Sequence, residues 1–285
     1  MIFDTPYEYC LSDCDGTIVD NGFYPLEATK KSIRKYQKVS GYRFGLITGR
    51  LAMANLKLVD DLNVQLPIVA CNGAVVMDLK LKKVLFAQTI PNDLVFQIFD
   101  DCIAIGVEIM LYTPTQMLAK IGAMRIEYWI QYQKSIKKKH RWEIQQFETY
   151  ADLRQAVEEQ NSSIVEFIIK TNSDQEEKFL HEIFQKYAHA TTSVESYPQM
   201  YNITAFGVDK FSGLKKWAEI VNADYQEIVA FGDNYNDLTM IQGVKKGICV
   251  GNGVDELKQV AWKIIEPVHE NGVGLELERM IAEKD

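Results

Sequence analysis

Short apolar runs alternate with amphipathic segments in the first quarter of the chain. Tyr9–Leu11 forms the end of a predicted buried strand, and residues 25–40 predict an amphipathic helix because Ile33 and Tyr36 recur at helical spacing. The next predicted elements are a strand, a helix and a strand, at 42–48, 51–62 and 67–71. Strands that alternate with helices pair in parallel through right-handed crossovers. This part of the chain therefore predicts one half of a doubly wound α/β sheet.

The same pattern returns near the C-terminus, after residue 207. A helix is predicted at 213–221, and strands are predicted at 226–231, 246–250 and 262–266. We therefore expect both ends of the chain, 1–81 and 205–285, to form a single Rossmann-like core with a doubly wound parallel sheet.

The middle of the chain has a different pattern and predicts an inserted α+β domain at 82–204. The basic run at 80–83 indicates a hairpin turn or a linker, and a strand at 84–90 and a helix at 92–105 follow it. Residues 107–112 and 163–170 alternate like half-exposed strands, which predicts a sheet with one face in solvent. A helix is predicted at 174–187, with Phe179, Leu180, Ile183 and Phe184 on its core-facing side.

Two carboxylates follow the first predicted strand in the run Asp13-Cys14-Asp15-Gly16-Thr17. Gly16 indicates a tight turn, so both carboxylates lie at the carboxyl end of a strand, where ligands bind in open α/β sheets. Close carboxylates repel each other unless a cation or a shared proton compensates. Mg²⁺ could accept one carboxylate and a backbone carbonyl and leave the other carboxylate free for proton transfer. The alternative is a polar turn with an Asp-Gly hairpin signal.

A second acidic segment follows the predicted strand at 226–231. Asp233 and Asp237 are four residues apart, so a helix that opens within this loop would turn both carboxylates to one side. Acidic residues also favour helix N-termini for electrostatic reasons alone, which is the alternative interpretation.

Composition limits the class of protein. The chain has 285 residues, 47% of them hydrophobic, and 31 basic against 39 acidic side chains give a net charge of −8. An acidic protein is not expected to bind nucleic acid or an anionic membrane, so an anionic substrate would need local cationic groups. The basic run at 137–141 is either a solvated segment or an electrostatic guide for such a substrate. The four histidines have no metal-ligand spacing.

The cysteines and the N-terminus indicate a cytoplasmic protein. The five cysteines form no Cys-x-x-Cys pair and four of them lie in apolar runs, so reduced, buried thiols are expected. We find no basic segment followed by an apolar one at the N-terminus, and no apolar run approaches the length of a membrane span.

Four separated signals resemble, in order, those of the haloacid dehalogenase superfamily. They are Asp13-Cys14-Asp15-Gly16-Thr17, Thr48-Gly49-Arg50, Lys210 and Gly232-Asp233-Asn234-Tyr235-Asn236-Asp237. Asn72-Gly73 and the long insertion resemble the Cof-type branch, in which a large α/β cap covers the core. Three positions depart from the family pattern: Cys14, Phe211 and Gly253.

The resemblance implies a role for each matching residue. Asp13 would be the nucleophile and Asp15 the general acid and base, while Thr48 and Lys210 would bind and neutralise the phosphoryl group. Taken alone, Thr48 is equally typical of a strand-end turn and Lys210 of a surface cation.

The resemblance also implies a metal site. Asp13, Asp233 and the backbone carbonyl of Asp15 would hold Mg²⁺, and Asp237 would support the metal. Further supporting residues of the metal or phosphate site would be Asn236, Gly49, Asn72 and Gly73.

The implied activity is Mg²⁺-dependent hydrolysis of a phosphomonoester, such as a sugar phosphate or another small phosphorylated metabolite, through an aspartyl-phosphate. Two alternatives use the same residues. A phosphomutase or phosphotransferase would pass the phosphoryl group to a second hydroxyl, and a regulatory protein would bind the phosphoester without turnover. The sequence pattern predicts no particular oligomeric state.

Overall fold

The computed structural model describes residues 5–20, 22–159 and 163–284, and its central element is a five-stranded parallel sheet. Across the sheet, the strands are β14 (Lys263–Ile265), β13 (Lys246–Val250), β12 (Val229–Gly232), β1 (Cys10–Ser12) and β2 (Phe44–Leu46). β1 lies between β12 and β2, so strands from both ends of the chain are neighbours. The predicted parallel core built from both chain ends is therefore confirmed.

Helices cover both faces of this sheet. They are α1 (Glu27–Ser40), α2 (Leu56–Leu62), α7 (Lys210–Val221), α8 (Leu238–Gly243), α9 (Asp255–Val260) and α10 (Gly272–Ala282). Along β12, Val229 and Phe231 pack into a cluster with α1 and α10, whereas Ala230 packs into a second cluster with α7 and α8. Alternate side chains thus enter opposite layers, which explains why these strands are apolar throughout.

A small antiparallel sheet continues the core beyond β2. Its strands are β3 (Ile68–Ala70), β4 (Val75–Asp78) and β5 (Lys83–Ala87), and a parallel bridge from Ile47 to Val69 connects it to the end of β2. The basic run at 80–83 turns the chain between β4 and β5. Of the two interpretations of this run, the hairpin turn is correct.

The middle of the chain folds around a second, mostly antiparallel sheet of six strands. Their order is β10 (Thr191–Tyr197), β11 (Met200–Ala205), β9 (Glu166–Lys170), β6 (Glu108–Tyr112), β7 (Met117–Lys120) and β8 (Ile144–Phe147). The helices of this part are α3 (Asn92–Ala104), α4 (Met124–Ser135), α5 (Tyr150–Glu159) and α6 (Asp174–Tyr187). An inserted α+β unit is thus present, as the sequence predicts.

The prediction of half-exposed strands in this second sheet is wrong. All residues of β6 and β9 are buried except one partly exposed residue in each strand. Apolar residues pack toward the helices on one face, and the polar residue Glu166 is buried as well because it meets Asn72 in a loop of the core. The alternating pattern therefore marks a contact between the two parts of the protein.

Several predicted elements differ in their bounds, and three of them also differ in the local structure at their start. The helix expected at 51–62 is a 3₁₀ turn at Ala52–Asn55 followed by α2, and the strand expected at 226–231 begins with a 3₁₀ turn at Tyr225–Glu227. The helix expected at 213–221 starts at Lys210, because Asp209 and Ser212 form a reciprocal capping box there.

Two residues of the basic run at 137–141 contact the core. Lys139 and His140 both contact the carboxylate of Asp60 on α2, at 2.6 and 2.7 Å, and His140 is buried. The charge of Lys139 is therefore engaged with a core carboxylate.

All five cysteines are free and buried, as expected for reduced thiols that behave as small hydrophobes. Among the helices of residues 5–20, 22–159 and 163–284, none has the length and apolarity needed to cross a bilayer.

Candidate active site

The two acidic motifs meet at the carboxyl ends of the neighbouring strands β1 and β12. Asp13 follows β1, and Asp233 and Asp237 follow β12. All three are buried, and each offers a carboxylate oxygen within 4.8 Å of the others. Parallel strands that are hydrogen-bonded neighbours bring their carboxyl ends together, so two motifs more than two hundred residues apart form one cluster.

Lys210 supplies the buried positive charge of this cluster. Its Nζ lies 2.8 Å from Oδ1 of Asp13 and 2.6 Å from Oδ1 of Asp237, and its side chain is fully buried. Burial disfavours the charged amine, but the two carboxylates outweigh it and raise the pKa of Lys210. Lys210 is thus a permanent cation within the site and not a surface cation.

Gly73 fixes the start of the helix that carries Lys210. A Cβ at Gly73 would lie 2.0 Å from the carbonyl oxygen of Asp209, and Gly73 has a φ of +103°, which a side chain rarely tolerates. Gly73 therefore allows the loop after β3 to contact the first turn of α7, and its role is structural.

Asp237 holds the loop that carries Asp233. Its Oδ2 accepts hydrogen bonds from the backbone amides of Asp233 and Asn234, at 3.0 and 3.1 Å, while its Oδ1 faces Lys210. A 3₁₀ turn at Tyr235–Asp237, rather than an α-helix, opens this segment. Both oxygens of Asp237 are already engaged, so it supports the loop and leaves Asp233 to face the centre of the cluster.

Asp233 also contacts the first motif directly. The hydroxyl of Thr17 donates to Oδ1 of Asp233 at 2.6 Å. A Cβ at Gly16 would lie only 2.1 Å from Oδ2 of the same carboxylate, and Gly16 has a φ of +84°. The Asp-Gly-Thr sequence thus leaves room for a carboxylate from the second motif and orients it.

The cluster carries more negative than positive charge. Burial and repulsion from neighbouring carboxylates raise the pKa values of both Asp13 and Asp233, although Lys210 acts in the opposite direction. Buried carboxylates without enough counter-charge are unfavourable. Oxygen donors in this arrangement suit a hard divalent cation, so the residues fit a Mg²⁺ ion.

Asp15 forms an ion pair that the sequence did not predict. Arg50 donates from Nε to Oδ2 of Asp15 at 2.7 Å and from Nη2 to Oδ1, so the pair is bidentate. The enclosing cavity disfavours the charged carboxylate, but Arg50 outweighs this effect and lowers the pKa of Asp15. Asp15 is therefore an ionised carboxylate in this conformation, and its side chain remains 48% exposed.

The remaining predicted residues lie around this centre. Thr48 is buried after β2, where its Oγ1 accepts from the backbone amide of Arg50 at 3.1 Å. Gly49 lies against the side chain of Asn72, whose Oδ1 accepts from Nδ2 of Asn236 at 2.9 Å. The structure therefore brings all predicted residues to one region, but the cavity lining does not include Thr48, Gly73, Lys210 or Asp237.

The three departures from the family pattern are accommodated without loss of a polar group. Cys14 is fully buried among apolar side chains. Phe211 packs on Gly243, where a Cβ would lie 2.4 Å from its ring. Gly253 lies against Cys249, and a Cβ there would be 2.4 Å from the sulfur.

Glu166 is a buried polar residue that sequence reasoning missed. Its Oε1 accepts from Nδ2 of Asn72 at 2.6 Å and from Nδ2 of Asn202 at 2.9 Å, while Oε2 is buried without a partner among the described residues. Burial raises the pKa of Glu166 to about 8, which favours the neutral carboxyl at pH 7. The only sequence signal was one acidic residue within the apolar run at 164–169.

Glu166→Gln is expected to change how stability depends on pH. Between the ordinary pKa of 4.5 and about 8, the unfolded chain loses this proton while the folded protein keeps it. The free energy of unfolding of the wild type therefore falls as pH rises through this window. Because the amide stays neutral, we expect the variant to have a higher Tm than the wild type at about pH 8, with the difference shrinking toward pH 4.5.

Thermal melts across the pH range measure this effect. Glu148→Gln is the matched control, since it removes an exposed carboxylate from the same part of the chain. A Tm difference between wild type and Glu166→Gln that does not vary with pH would contradict the prediction.

A cavity of about 510 Å³ opens above the acidic cluster. Its core side includes Asp13, Asp15, Arg50 and Asp233, and its other side is formed by residues of the six-stranded sheet and of α4. The volume suits a small organic molecule. His269 and Asp20, to which the sequence assigned no chemistry, also line this cavity.

Comparison with known proteins agrees with this architecture. The model of the haloacid dehalogenase-like hydrolases matches residues 10–277. Pyridoxal phosphate phosphatase YbhA of Escherichia coli is 24% identical over 252 residues, which cover 86% of this chain and 88% of the relative.

Solved structures share the fold over nearly the full length. A haloacid dehalogenase-like hydrolase from Bacteroides thetaiotaomicron superimposes with a TM-score of 0.79 at 18% identity, covering 96% of this chain and 99% of that one. A sugar phosphatase of HAD subclass IIB gives a TM-score of 0.77 at 18% identity, covering 96% and 98%. Because the family model spans nearly the whole chain, this protein belongs to the haloacid dehalogenase-like hydrolases.

Proposed function

We propose that this phosphatase hydrolyses the phosphomonoester of a small metabolite, such as a sugar phosphate, through an aspartyl-phosphate on Asp13. One observation carries the proposal: Asp13 lines the cavity, 2.8 Å from the buried ammonium of Lys210, and offers a carboxylate oxygen within 4.8 Å of one from Asp233. A nucleophile that meets a phosphate dianion needs such compensation of charge.

The reaction then has two steps. An oxygen of Asp13 bonds to phosphorus as the bond between phosphorus and the ester oxygen breaks, and Asp15 protonates the departing oxygen. Water next bonds to phosphorus and gives a proton to Asp15, the bond between Asp13 and phosphorus breaks, and inorganic phosphate leaves. Lys210 balances charge on Asp13 and the phosphoryl group, and the Thr48 hydroxyl donates to a phosphoryl oxygen.

Arg50 adds a condition to the first step. Asp15 must carry a proton to protonate the leaving oxygen, whereas the bidentate pair with Arg50 favours the ionised form. The pair must therefore loosen once substrate is bound, and the negative charge of the phosphate competes for the guanidinium. The same pair suits the second step, in which Asp15 acts as a base.

A bound Mg²⁺ would compensate the charge of the reacting groups. Its ligands would be Asp13, Asp233 and the backbone carbonyl of Asp15, with Asp237 holding the Asp233 loop. The excess of buried carboxylates over Lys210 supports this assignment.

The inserted segment at 82–204 would act as the cap that separates the cavity from bulk water. Contacts that join the two parts support this role, among them Asn72 with Glu166 and Asn234 with the carbonyl of Ser196. Five free, buried cysteines are compatible with a reducing compartment such as the cytoplasm.

Asp15→Asn tests the covalent mechanism with p-nitrophenyl phosphate. The p-nitrophenolate ion leaves without protonation, so the first step persists, whereas the second step lacks its base. We therefore expect a burst of about one equivalent of p-nitrophenol per protein, followed by slow turnover, and loss of the burst in EDTA. Wild-type protein should release inorganic phosphate in step with p-nitrophenol.

Stopped-flow absorbance and mass spectrometry of the quenched variant measure these outcomes. Asp93→Asn, on the surface of α3, is the matched control and should keep wild-type turnover. Slow linear release with no phosphorylated Asp13 would argue against the aspartyl-phosphate, and transfer of phosphate to an added sugar in place of water would indicate a phosphotransferase.

A further inference from the structure

We propose that Arg125 binds a second anionic group, a carboxylate or a phosphate, on the leaving part of the substrate. This inference rests on the proposed phosphatase function, because it assigns the other end of the same cavity. Arg125 belongs to α4 in the inserted segment, whereas the reactive carboxylates belong to loops of the core.

Arg125 is a positively charged side chain in a cavity rich in carboxylates. Besides the cluster residues Asp13 and Asp233, the carboxylates of Asp15 and Asp20 line the cavity. Within residues 5–20, 22–159 and 163–284, no carboxylate forms an ion pair with Arg125. Arg50, the other arginine of the lining, is already engaged by Asp15. The charge of Arg125 is thus available to a bound molecule.

Aromatic rings hold the guanidinium of Arg125 in place. Its Cζ lies 4.9 Å from the ring centre of Tyr128 and 5.2 Å from that of Trp129. These contacts restrict the side chain but leave its N–H donors free to form hydrogen bonds in the plane of the guanidinium group. An arginine held in this way is preorganised for a carboxylate or phosphate, both of which accept two parallel hydrogen bonds.

The position of Arg125 also limits the size of the substrate. The guanidinium of Arg50 lies 5.7 Å from the ring centre of Trp129, so both arginines share one ring. Asp15, which is paired with Arg50, marks the position of the ester oxygen. The second anionic group should therefore belong to the same small molecule as the ester, as in a short phosphorylated acid or a sugar bisphosphate.

Polar and apolar side chains of the six-stranded sheet form the wall beside this subsite. The residues that line the cavity on this side are Tyr112, Ile168, Met200 and Asn202. These side chains carry no charge, so Arg125 is the one charged group that the inserted segment contributes to the cavity lining among the described residues. Discrimination between neutral and anionic leaving groups would therefore depend on this residue.

Two matched substrate pairs test the proposal with Arg125→Gln. 3-Phosphoglycerate and glycerol 1-phosphate differ only in a carboxylate against a hydroxymethyl group, and fructose 1,6-bisphosphate and fructose 6-phosphate differ in a second phosphate. We expect wild-type kcat/KM to favour the anionic member of at least one pair. In the variant this ratio should fall by about ten-fold or more, the size typical of a lost charge-assisted hydrogen bond. Which pair responds shows whether the second anion is a carboxylate or a phosphate.

Lys134→Gln is the matched control, because it removes one positive charge from the exposed part of the same helix. It should keep the wild-type ratios. Ratios of kcat/KM near one for both pairs in the wild type would overturn the proposal. An equal loss of kcat/KM for both members of a pair would also overturn it, because it would show that Arg125 acts on the charge of Asp15 and not on a second anionic group.

A binding measurement separates this proposal from the proposed function. Calorimetric titration of Asp13→Asn with each pair, in the presence of Mg²⁺, reports the same preference without turnover. Selective binding of the anionic members together with an absence of hydrolysis by wild-type protein would overturn the proposed function and leave the subsite standing. Hydrolysis by the wild type with no preference for the anionic members would overturn the Arg125 subsite and leave the proposed function standing.

Discussion

Asp13→Asn is expected to lower kcat by at least about 10⁴-fold, the scale of losing a nucleophile that acts as part of a unit. The amide has no negative charge and is a poor nucleophile toward phosphorus. It also removes one of the carboxylates that would hold Mg²⁺. Steady-state assays with p-nitrophenyl phosphate measure the loss.

The same substitution should not destabilise the metal-free fold. Burial raises the pKa of Asp13, so ionising it at neutral pH reduces the stability of the folded state. The amide removes that penalty, and its oxygen can still accept a hydrogen bond from Lys210. In EDTA at neutral pH we therefore expect Asp13→Asn to melt at or above the Tm of the wild type.

Asp13→Glu is the matched control, since it keeps the charge and displaces it by one methylene group. It should also be inactive if attack requires the position found here. Activity of Asp13→Asn above one-hundredth of the wild-type value, after exclusion of deamidation by mass spectrometry, would contradict the assignment of Asp13 as nucleophile.

Sequence patterns predicted the core because local signals and global topology agree there. A strand that is buried at every position, such as β1, requires cover on both faces, and that requirement indicates a parallel sheet with helices on each side. The carboxyl ends of such strands meet at one edge. The acidic residues after β1 and β12 were each predicted to follow a strand end, and the resemblance to the haloacid dehalogenase superfamily implied that they share one site.

The interactions that adjust the site were not predictable in the same way. The pair between Asp15 and Arg50 depends on the orientation of two side chains, and Thr48-Gly49-Arg50 marks only a strand end. Glu166 lies in a sheet whose alternating pattern predicted exposure to solvent. That pattern reports polarity on one face, and it cannot distinguish water from the polar loops of another domain, such as the one that contains Asn72.

Lys210→Met is expected to destabilise the protein by about 3–5 kcal/mol, because it leaves Asp13 and Asp237 buried without their cation. Methionine fills a volume similar to that of lysine, so the decrease in the free energy of unfolding would arise from the missing charge more than from altered packing. We also expect kcat to fall at least about 10²-fold, the scale of removing a group that stabilises charge in the transition state. Urea denaturation and steady-state kinetics measure the two effects.

Lys216→Met separates this prediction from a general effect of losing a lysine from α7. Lys216 lies on the same helix, pairs with Glu219 at the surface and has its Nζ 5.4 Å from the ring centre of Phe86, so its replacement should change the free energy of unfolding by less than about 0.5 kcal/mol. A similar loss of stability in both variants would show that the helix, and not the buried charge, determines the effect.

A double substitution shows which carboxylate needs Lys210. If the destabilisation arises from unpaired Asp13, then Asp13→Asn combined with Lys210→Met should recover about 0.5–3 kcal/mol relative to the sum of the single effects. Asp237 keeps two backbone amide donors when Lys210 is lost, whereas Asp13 loses its only buried cation among the described residues. Additive effects would instead assign the destabilisation to Asp237.

Mg²⁺ should raise the Tm of Lys210→Met by more than that of the double variant, because the added charge acts on a carboxylate that only the single variant retains.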